Sequence, residues 1–252
     1  MRLAHLTWPK AEAYFKQSDM VILATGSIET HGRHNPLGLD TLVPDRLLEL
    51  IEEKSDVLIA PTIPYGATDD LTGHAGTISV GDELMYGFTK RVVMGLYAHG
   101  ARKFVFVNGH GGNMWALTRI CNELSVEGAL GAVFNWWKLA PEFNPEWAGG
   151  HGGGEETAAV MAVDPRLVDK SAFGDMELVN DLGDDLPTTG FDNVAFKGHG
   201  VFMPRMCSRY SKNGWVGPDR PETATEEWGK EMLQTVADYI ADFCEAFKKV
   251  KL

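Results

Sequence analysis

Met20-Val21-Ile22-Leu23-Ala24-Thr25 runs without a break into Gly26-Ser27-Ile28-Glu29-Thr30-His31-Gly32-Arg33-His34. An apolar, β-rich run that stops at a glycine reads as a strand followed by a tight turn. Similar runs occur at residues 57–59, 103–107 and 130–134. Between and around them lie amphipathic helical patterns at 8–16, 44–54, 84–99, 113–125, 155–163 and 224–248. Strands that alternate with helices predict a mostly parallel sheet with helices on its faces. The expectation is one three-layer α/β/α domain over residues 1–252, with its chemistry just beyond the carboxyl ends of the strands.

Two helical stripes support that layout. Trp228, Met232, Val236, Ile240, Phe243 and Phe247 recur at spacings of three and four, the mark of a core-facing helix. Leu84, Phe88, Val92 and Leu96 predict a second core stripe, which ends at His99-Gly100 with a glycine stop. Between about residue 164 and residue 221 the periodicity fails and acidic residues, glycine and proline accumulate. So long an irregular stretch usually serves a site, a subunit contact or a lid.

Composition narrows the function class. The chain has 252 residues, 44% of them hydrophobic, and a formal charge of −12. That charge argues against nucleic acid and anionic membrane as partners. No apolar run approaches the roughly 20 residues that cross a bilayer, and Met1-Arg2-Leu3-Ala4-His5 leads into a polar segment instead of a secretory core. The three cysteines, Cys121, Cys207 and Cys244, are far apart and form neither a disulfide framework nor a CxxC metal site. A cytoplasmic location is expected, with Cys121 and Cys244 as small core residues.

Three loops carry residues with chemical potential. Glu29 and His31 are two apart, so an extended backbone aims both side chains the same way, and Asp40 follows nine residues later. Two carboxylates and an imidazole so close in sequence suit zinc, manganese or iron. The competing uses are a helix cap for Asp40-Thr41 and a solvated loop for Glu29 and His31. In the second loop, Lys103-Phe104-Val105-Phe106-Val107 leads into Asn108-Gly109-His110-Gly111-Gly112-Asn113. Glycines around His110 leave room for an ion. A phosphate cradle is the rival, but the turn is neither GxxxxGK[ST] nor GxGxxG and holds no basic residue. In the third, Trp147-Ala148-Gly149-Gly150-His151-Gly152-Gly153-Gly154-Glu155-Glu156-Thr157, a glycine tract presents His151 as a general acid/base or as part of a lid. Glu155 and Glu156 there can simply complement a helix dipole.

Gly26-Ser27-Ile28-Glu29-Thr30-His31-Gly32 with Asp40 resembles the opening motif of the creatininase family of amidohydrolases. Asn108-Gly109-His110-Gly111-Gly112-Asn113 resembles its second motif, and His151 with Glu156-Thr157 its third. Gly76-Thr77-Ile78-Ser79, Gly214-Trp215-Val216-Gly217 and Ala224-Thr225 are similar to weaker family segments, in the same order over nearly the whole chain. The resemblance implies a site for two divalent ions, zinc first, with manganese or iron as alternatives. Glu29 and His110 would hold one ion, His31 the other, and Asp40 would bridge them, because paired cations need a shared anion. His151 would donate a proton, with Glu156 in the catalytic group or completing the second ion's shell. Trp137, Trp147, Gly111 and Ser79 would face substrate, Trp147 from a glycine-rich loop that offers no core. The family pattern has a tyrosine and a metal-binding glutamate where this chain has Gly111 and Gly112, and Phe-Pro where it has His74-Ala75. The two glycines are expected to empty space beside His110 and to favour a substrate larger than creatinine.

The reaction so implied is hydrolysis of a non-peptide C–N bond in a small, cyclic amide by metal-activated water. Deformylation of a formamide and cleavage of a small peptide amide are alternatives on the same site. A metal-stabilised binding or scaffold protein is the non-enzyme alternative, against which His151 beside a full ligand set argues. A homo-oligomer, a hexamer, is implied by the resemblance alone.

Overall fold

The computed structural model describes residues 1–174 and 176–252. The first half contains helix Trp8–Phe15 (α1), strand Met20–Thr25 (β1), helix Leu39–Glu52 (α2), strand Leu58–Ile59 (β2), helix Gly81–Ala98 (α3), strand Lys103–Asn108 (β3) and helix Met114–Val126 (α4). The second half contains strand Leu130–Asn135 (β4), helices Trp136–Phe143 (α5) and Gly154–Val163 (α6), and strands Thr188–Gly190 (β5), Asn193–Phe196 (β6) and His199–Phe202 (β7). The long helix Glu226–Lys248 (α7) follows.

The period-two alternation of β1 and β3 separates two cores. Met20, Ile22, Ala24, Val105 and Val107 face one side, where they meet Leu47 and Ile51 of α2, Trp136 of α5, Ala158–Met161 of α6 and Met232, Val236 and Ile240 of α7. Val21, Leu23, Phe104 and Phe106 face the other side, against Met85 and Val93 of α3 and Leu117 and Ile120 of α4. Helices on both faces of a parallel sheet give the three layers that the sequence predicts.

Strand order is β2-β1-β3-β4 and every pairing is parallel. From β1 the chain crosses to β2 on one side and then returns to β3 on the other. The carboxyl ends of β1 and β3 therefore flank a topological switch point, the crevice where open α/β sheets bind ligands. Both histidine-bearing loops of the first two motifs emerge there.

Several sequence expectations are corrected. The helix expected at 44–54 begins at Leu39, with Gly38 in the cap position, so Asp40 lies in its first turn and is not its cap. Pro44 sits inside that helix and cannot donate to the Asp40 carbonyl as residue i+4 ordinarily does. The stripe Leu84-Phe88-Val92-Leu96 is a core face only in its second half, where Val92 and Leu96 pack on the core. Leu84 and Phe88 are 61% and 55% exposed, and α3 instead buries Met85, Tyr86, Thr89, Val93 and Leu96. Sequence periodicity also misses α5, which is short and contains Pro141, and the antiparallel β5–β6–β7 sheet inside the irregular stretch. Those strands are short and largely exposed, and Lys197 (φ 49°) and Gly198 (φ 81°) form the left-handed turn between the last two. Cys207 and Cys244 are buried and Cys121 is partly so, all three as free thiols.

Helices α6 and α7 approach so closely that only glycine fits at 229, where a Cβ would collide with the Ala158 carbonyl oxygen. Gly229→Ala should therefore lower stability by about 1–3 kcal/mol through overpacking, despite the better helix propensity of alanine. Urea unfolding would measure it; an unchanged or higher midpoint would show that the helices can separate freely.

Candidate metal centre

The loop after β1 is strapped on both sides before it presents a side chain. Gly26 N–H donates to Ile63 O (2.8 Å), Glu29 N–H to Leu37 O (2.9 Å) and Thr30 N–H to Thr77 Oγ1 (3.1 Å). This backbone delivers Glu29 and His31, each 1% exposed, into the crevice. Ser27 Oγ donates to Glu29 Oε2 (2.7 Å) and holds the carboxylate. Asp40, 1% exposed, enters from the first turn of α2 and His110 from the turn after β3.

Asp40 joins the two imidazoles. Its Oδ1 lies 3.1 Å from His31 Nε2 and its Oδ2 lies 3.2 Å from His110 Nδ1. Glu29 Oε2 is 3.0 Å from His110 Nδ1, and Glu156 Oε2, from the first turn of α6, is 3.8 Å from His31 Nε2. Three overlapping triads result: Glu29-Asp40-His110 and His31-Asp40-Glu156, with Asp40 common to both, and Glu29-His31-His151.

The outward nitrogens are engaged too. His31 Nδ1 lies 3.2 Å from the Glu29 carbonyl and His110 Nε2 lies 2.8 Å from the Ala67 carbonyl. Each carbonyl can accept only if that nitrogen carries the proton, which leaves the inward nitrogen as a lone pair, the usual arrangement of a metal-ligating histidine. Those lone pairs point at carboxylate oxygens. Such a convergence is stable only with positive charge between the groups, either a second imidazole proton or a cation, and the donor set of carboxylate oxygens and imidazole nitrogens suits zinc or manganese.

Protonation follows the same logic. Burial opposes charge on His31, but Asp40, Glu156 and Glu29 outweigh it and push its pKa up to about 10. His110 is likewise raised well above the ordinary value against its burial, by Glu29 and Asp40. Asp40 is held down at about 2 by His31 and His110 despite its burial. Glu156 is pushed up to about 7, first by burial, with His31 opposing and Asp40 adding. His151 goes the other way, down to about 3, through burial and then the charge of His31. Its ring lies 4.4 Å from that of His31 and 5.4 Å from that of Phe191, and its Nε2 is buried with no hydrogen-bond partner among the described residues.

The structure thus brings Glu29, His31, Asp40, His110, His151 and Glu156 together. It does not place the expected substrate residues alike. Trp137 is half-buried, with its ring beside Gly111, the residue after His110. Trp147 is 7% exposed and belongs to the core beside Trp136 and Ala140, so its loop does offer a core. Ser79 Oγ accepts from Thr68 N–H (2.9 Å) and Gly81 N–H (3.1 Å), a role in starting α3. Gly112 does not leave a void, because a Cβ there would collide with the Ala67 carbonyl and the His110 ring. Sequence reasoning also missed the Ala67 carbonyl, for which no side-chain pattern exists. It missed Asp219 as well, whose carboxylate accepts from Gly150 N–H (2.8 Å), Glu155 N–H (3.2 Å) and Gly154 N–H and so holds the His151 loop.

A family model described as "Creatininase: Creatinine amidohydrolase" matches residues 4–244. The creatinine amidohydrolase of Pseudomonas putida is 28% identical over 95% of this chain and 94% of its own length. The mycofactocin precursor peptide peptidase of Mycolicibacterium smegmatis is 29% identical over 88% and 83%, respectively. A crystal structure of creatinine amidohydrolase superposes with a TM-score of 0.78 at 24% identity, covering 99% of this chain and 98% of that one. A manganese form of creatininase and the Zn-Zn type of a mutant creatininase share the fold at TM-scores of 0.76 and 0.75, each with 24% identity and 99% of this chain covered, and 99% and 98% of theirs.

Without an ion, His31 and His110 carry protons at neutral pH, whereas as ligands both must be neutral at their inward nitrogens. Their raised values stabilise the ion-free fold fully below the ordinary histidine value of 6.5, and for His31 this support fades as pH rises toward about 10. Loading with zinc at pH 7 should then release roughly two protons per chain, and affinity should rise with pH. Calorimetry in buffers of different ionisation enthalpy would read this; zero release would contradict the charge state assigned to both histidines.

Proposed function

The chain belongs to the creatininase family, and from that premise we propose that it is a metal-dependent amidohydrolase cleaving a non-peptide C–N bond of a small, cyclic amide. The observation that carries this is Asp40, whose two oxygens face two different histidines, with the unpartnered Nε2 of His151 alongside. Glu29, Asp40 and His110 would hold one divalent ion and His31, Asp40 and Glu156 a second, zinc or manganese by the chemistry of the donors. Ions bound there would lower the pKa of water to about 7 and polarise a carbonyl.

His151, neutral in the ion-free chain, presents an unpartnered Nε2 at the centre. Its Nε2 takes up a proton as the nucleophile forms and returns it to the departing nitrogen, acting as the proton donor of the second half-reaction. Glu156 serves the second ion and accepts from Gly152 N–H (2.7 Å), which fixes the His151 loop to the same centre. Trp137 and Gly111 bound the substrate's entry. The reading of Ser79 and Trp147 as substrate residues is not retained. Cleavage of a short peptide amide is the second reading, favoured by the likeness to the mycofactocin precursor peptide peptidase.

We place the protein in the cytoplasm, with no nucleic acid or membrane as partner. No helix among the described residues is long and apolar enough to cross a membrane. We also propose a homo-oligomer, a hexamer by family likeness, supported by the exposed apolar residues Tyr65, Leu84, Phe88 and Trp115. Analytical ultracentrifugation tests that assembly.

Two experiments test the activity. Because Asp40 faces both ions, Asp40→Ala should lose nearly all metal, whereas His31→Ala should keep about one ion per chain by elemental analysis; full occupancy in Asp40→Ala would exclude the bridge. On a panel of creatinine, other cyclic amides, formamides and short peptides, the zinc and manganese forms should hydrolyse at least one. His151→Ala should keep its metal but lose roughly 10²–10⁴-fold in turnover on that compound. Loss of an ion with the imidazole would make His151 a ligand instead.

A further inference from the structure

Asn113 is fully buried and stands in the N-cap position of α4, where an asparagine side chain ordinarily accepts from the first turn of its own helix. Here it makes no such bond. The amide is turned away from the helix and into the junction of three loops. Its Nδ2 donates to the Gly26 carbonyl (3.0 Å) and to Asn108 Oδ1 (3.3 Å), and its Oδ1 accepts from Ala67 N–H (3.3 Å).

Each of those partners leads to a proposed ligand. Gly26 opens the loop that carries Glu29 and His31. Ala67 supplies the carbonyl that fixes the outward nitrogen of His110. Asn108 brackets the His110 backbone, donating from Nδ2 to its carbonyl (2.7 Å) and accepting at Oδ1 from its N–H (3.3 Å), while the Thr25 hydroxyl donates to the same oxygen (3.0 Å). The junction is tight: a Cβ at Gly66 would lie 2.6 Å from both Asn113 Oδ1 and the Gly26 carbonyl. Both hydrogens of the Asn113 amide are spent on these bonds, so loss of the amide strands a buried carbonyl and a buried N–H in different loops.

We propose that Asn113 is a positioning residue for the metal centre. It sets the separation between the Glu29 carboxylate, which follows β1, and the His110 imidazole, which follows β3, and so tunes the ion held by Glu29, Asp40 and His110. This rests on the two-ion reading above. The ion held by His31, Asp40 and Glu156 depends less on Asn113, because the His31 end of its loop is tied separately through Thr30 N–H to Thr77 and the other two ligands come from α2 and α6.

The test uses metal-stripped full-length protein, zinc titration against a competing chelator, and thermal unfolding of the ion-free form. The variants are Asn113→Ala and Asn113→Asp, with Leu117→Ala as control, a core residue one turn along the same helix. One of the two zinc equivalents should weaken about 10–100-fold in both Asn113 variants while the other stays within about threefold. Leu117→Ala should lower stability yet leave both affinities within about twofold, since its side chain is apolar core with Phe104 and Phe106 and makes no hydrogen bond to a ligand loop. Asn113→Asp keeps the side-chain volume and the oxygen facing Ala67, so it carries the test if Asn113→Ala does not fold. Parental zinc affinity in the Asn113 variants, or an equal loss in Leu117→Ala, would overturn the positioning role alone. A parent protein that binds no zinc would overturn the two-ion reading and the role with it.

Discussion

Three carboxylates, those of Glu29, Asp40 and Glu156, are drawn out of water at the end of a parallel sheet, and much of the local structure is a response to that cost. A buried carboxylate without compensation is among the most destabilising groups a fold can contain. Two imidazoles answer it, and backbone carbonyls fix which nitrogen of each ring turns inward. Protons can serve as the compensating charge without an ion, as the raised His31 and His110 values show. A divalent metal held by these residues would answer the same demand more completely than a proton on a ring beside them.

The surrounding chain is shaped to bring these groups together. Pro44 withholds the helical hydrogen bond from the Asp40 carbonyl, and the two ligand-loop glycines, Gly26 and Gly109, crowd that same carbonyl so closely that a Cβ at either would collide with or press on it. The loop with His151 is closed from the other half of the chain. Asp219 gathers its N–H groups, and Val216 N–H donates to the His151 carbonyl (2.9 Å). Part of the irregular stretch thus has a structural purpose: residues 213–219 buttress the His151 loop, while Phe191, next to β5, packs edge-on against His151.

Sequence alone exposed what depends on local pattern. Strand alternation gives the two-faced sheet, and the three glycine-bracketed motifs give all six residues that converge. What stayed hidden depends on tertiary partners. Leu84 and Phe88 fit a helical period but sit on the solvent side of α3, because Met85, Thr89 and Val93 form an equally regular face that the sheet selects. Trp147 looked free of a core because its glycine neighbours are local, whereas the surface that buries it comes from elsewhere in the chain. Asn113 is visible as a residue of the second motif, but its amide reads as a helix cap until Gly26 and Ala67 are placed beside it.

Gly112 and Glu156 together explain how the centre can lack the carboxylate that the family pattern puts after the second-motif histidine. With the Ala67 carbonyl pressed against Gly112, a side chain at 112 could not enter without moving the group that orients His110. The position is therefore closed by the same contact that builds the first triad. Glu156 reaches His31 from α6 and supplies the third carboxylate from the opposite wall. Two divalent ions would bring four positive charges against the three negative charges of these carboxylates, and a hydroxide formed at the ions would leave the loaded centre close to neutral. That balance would let negative charge develop on a substrate oxygen without a net negative centre around it at low dielectric.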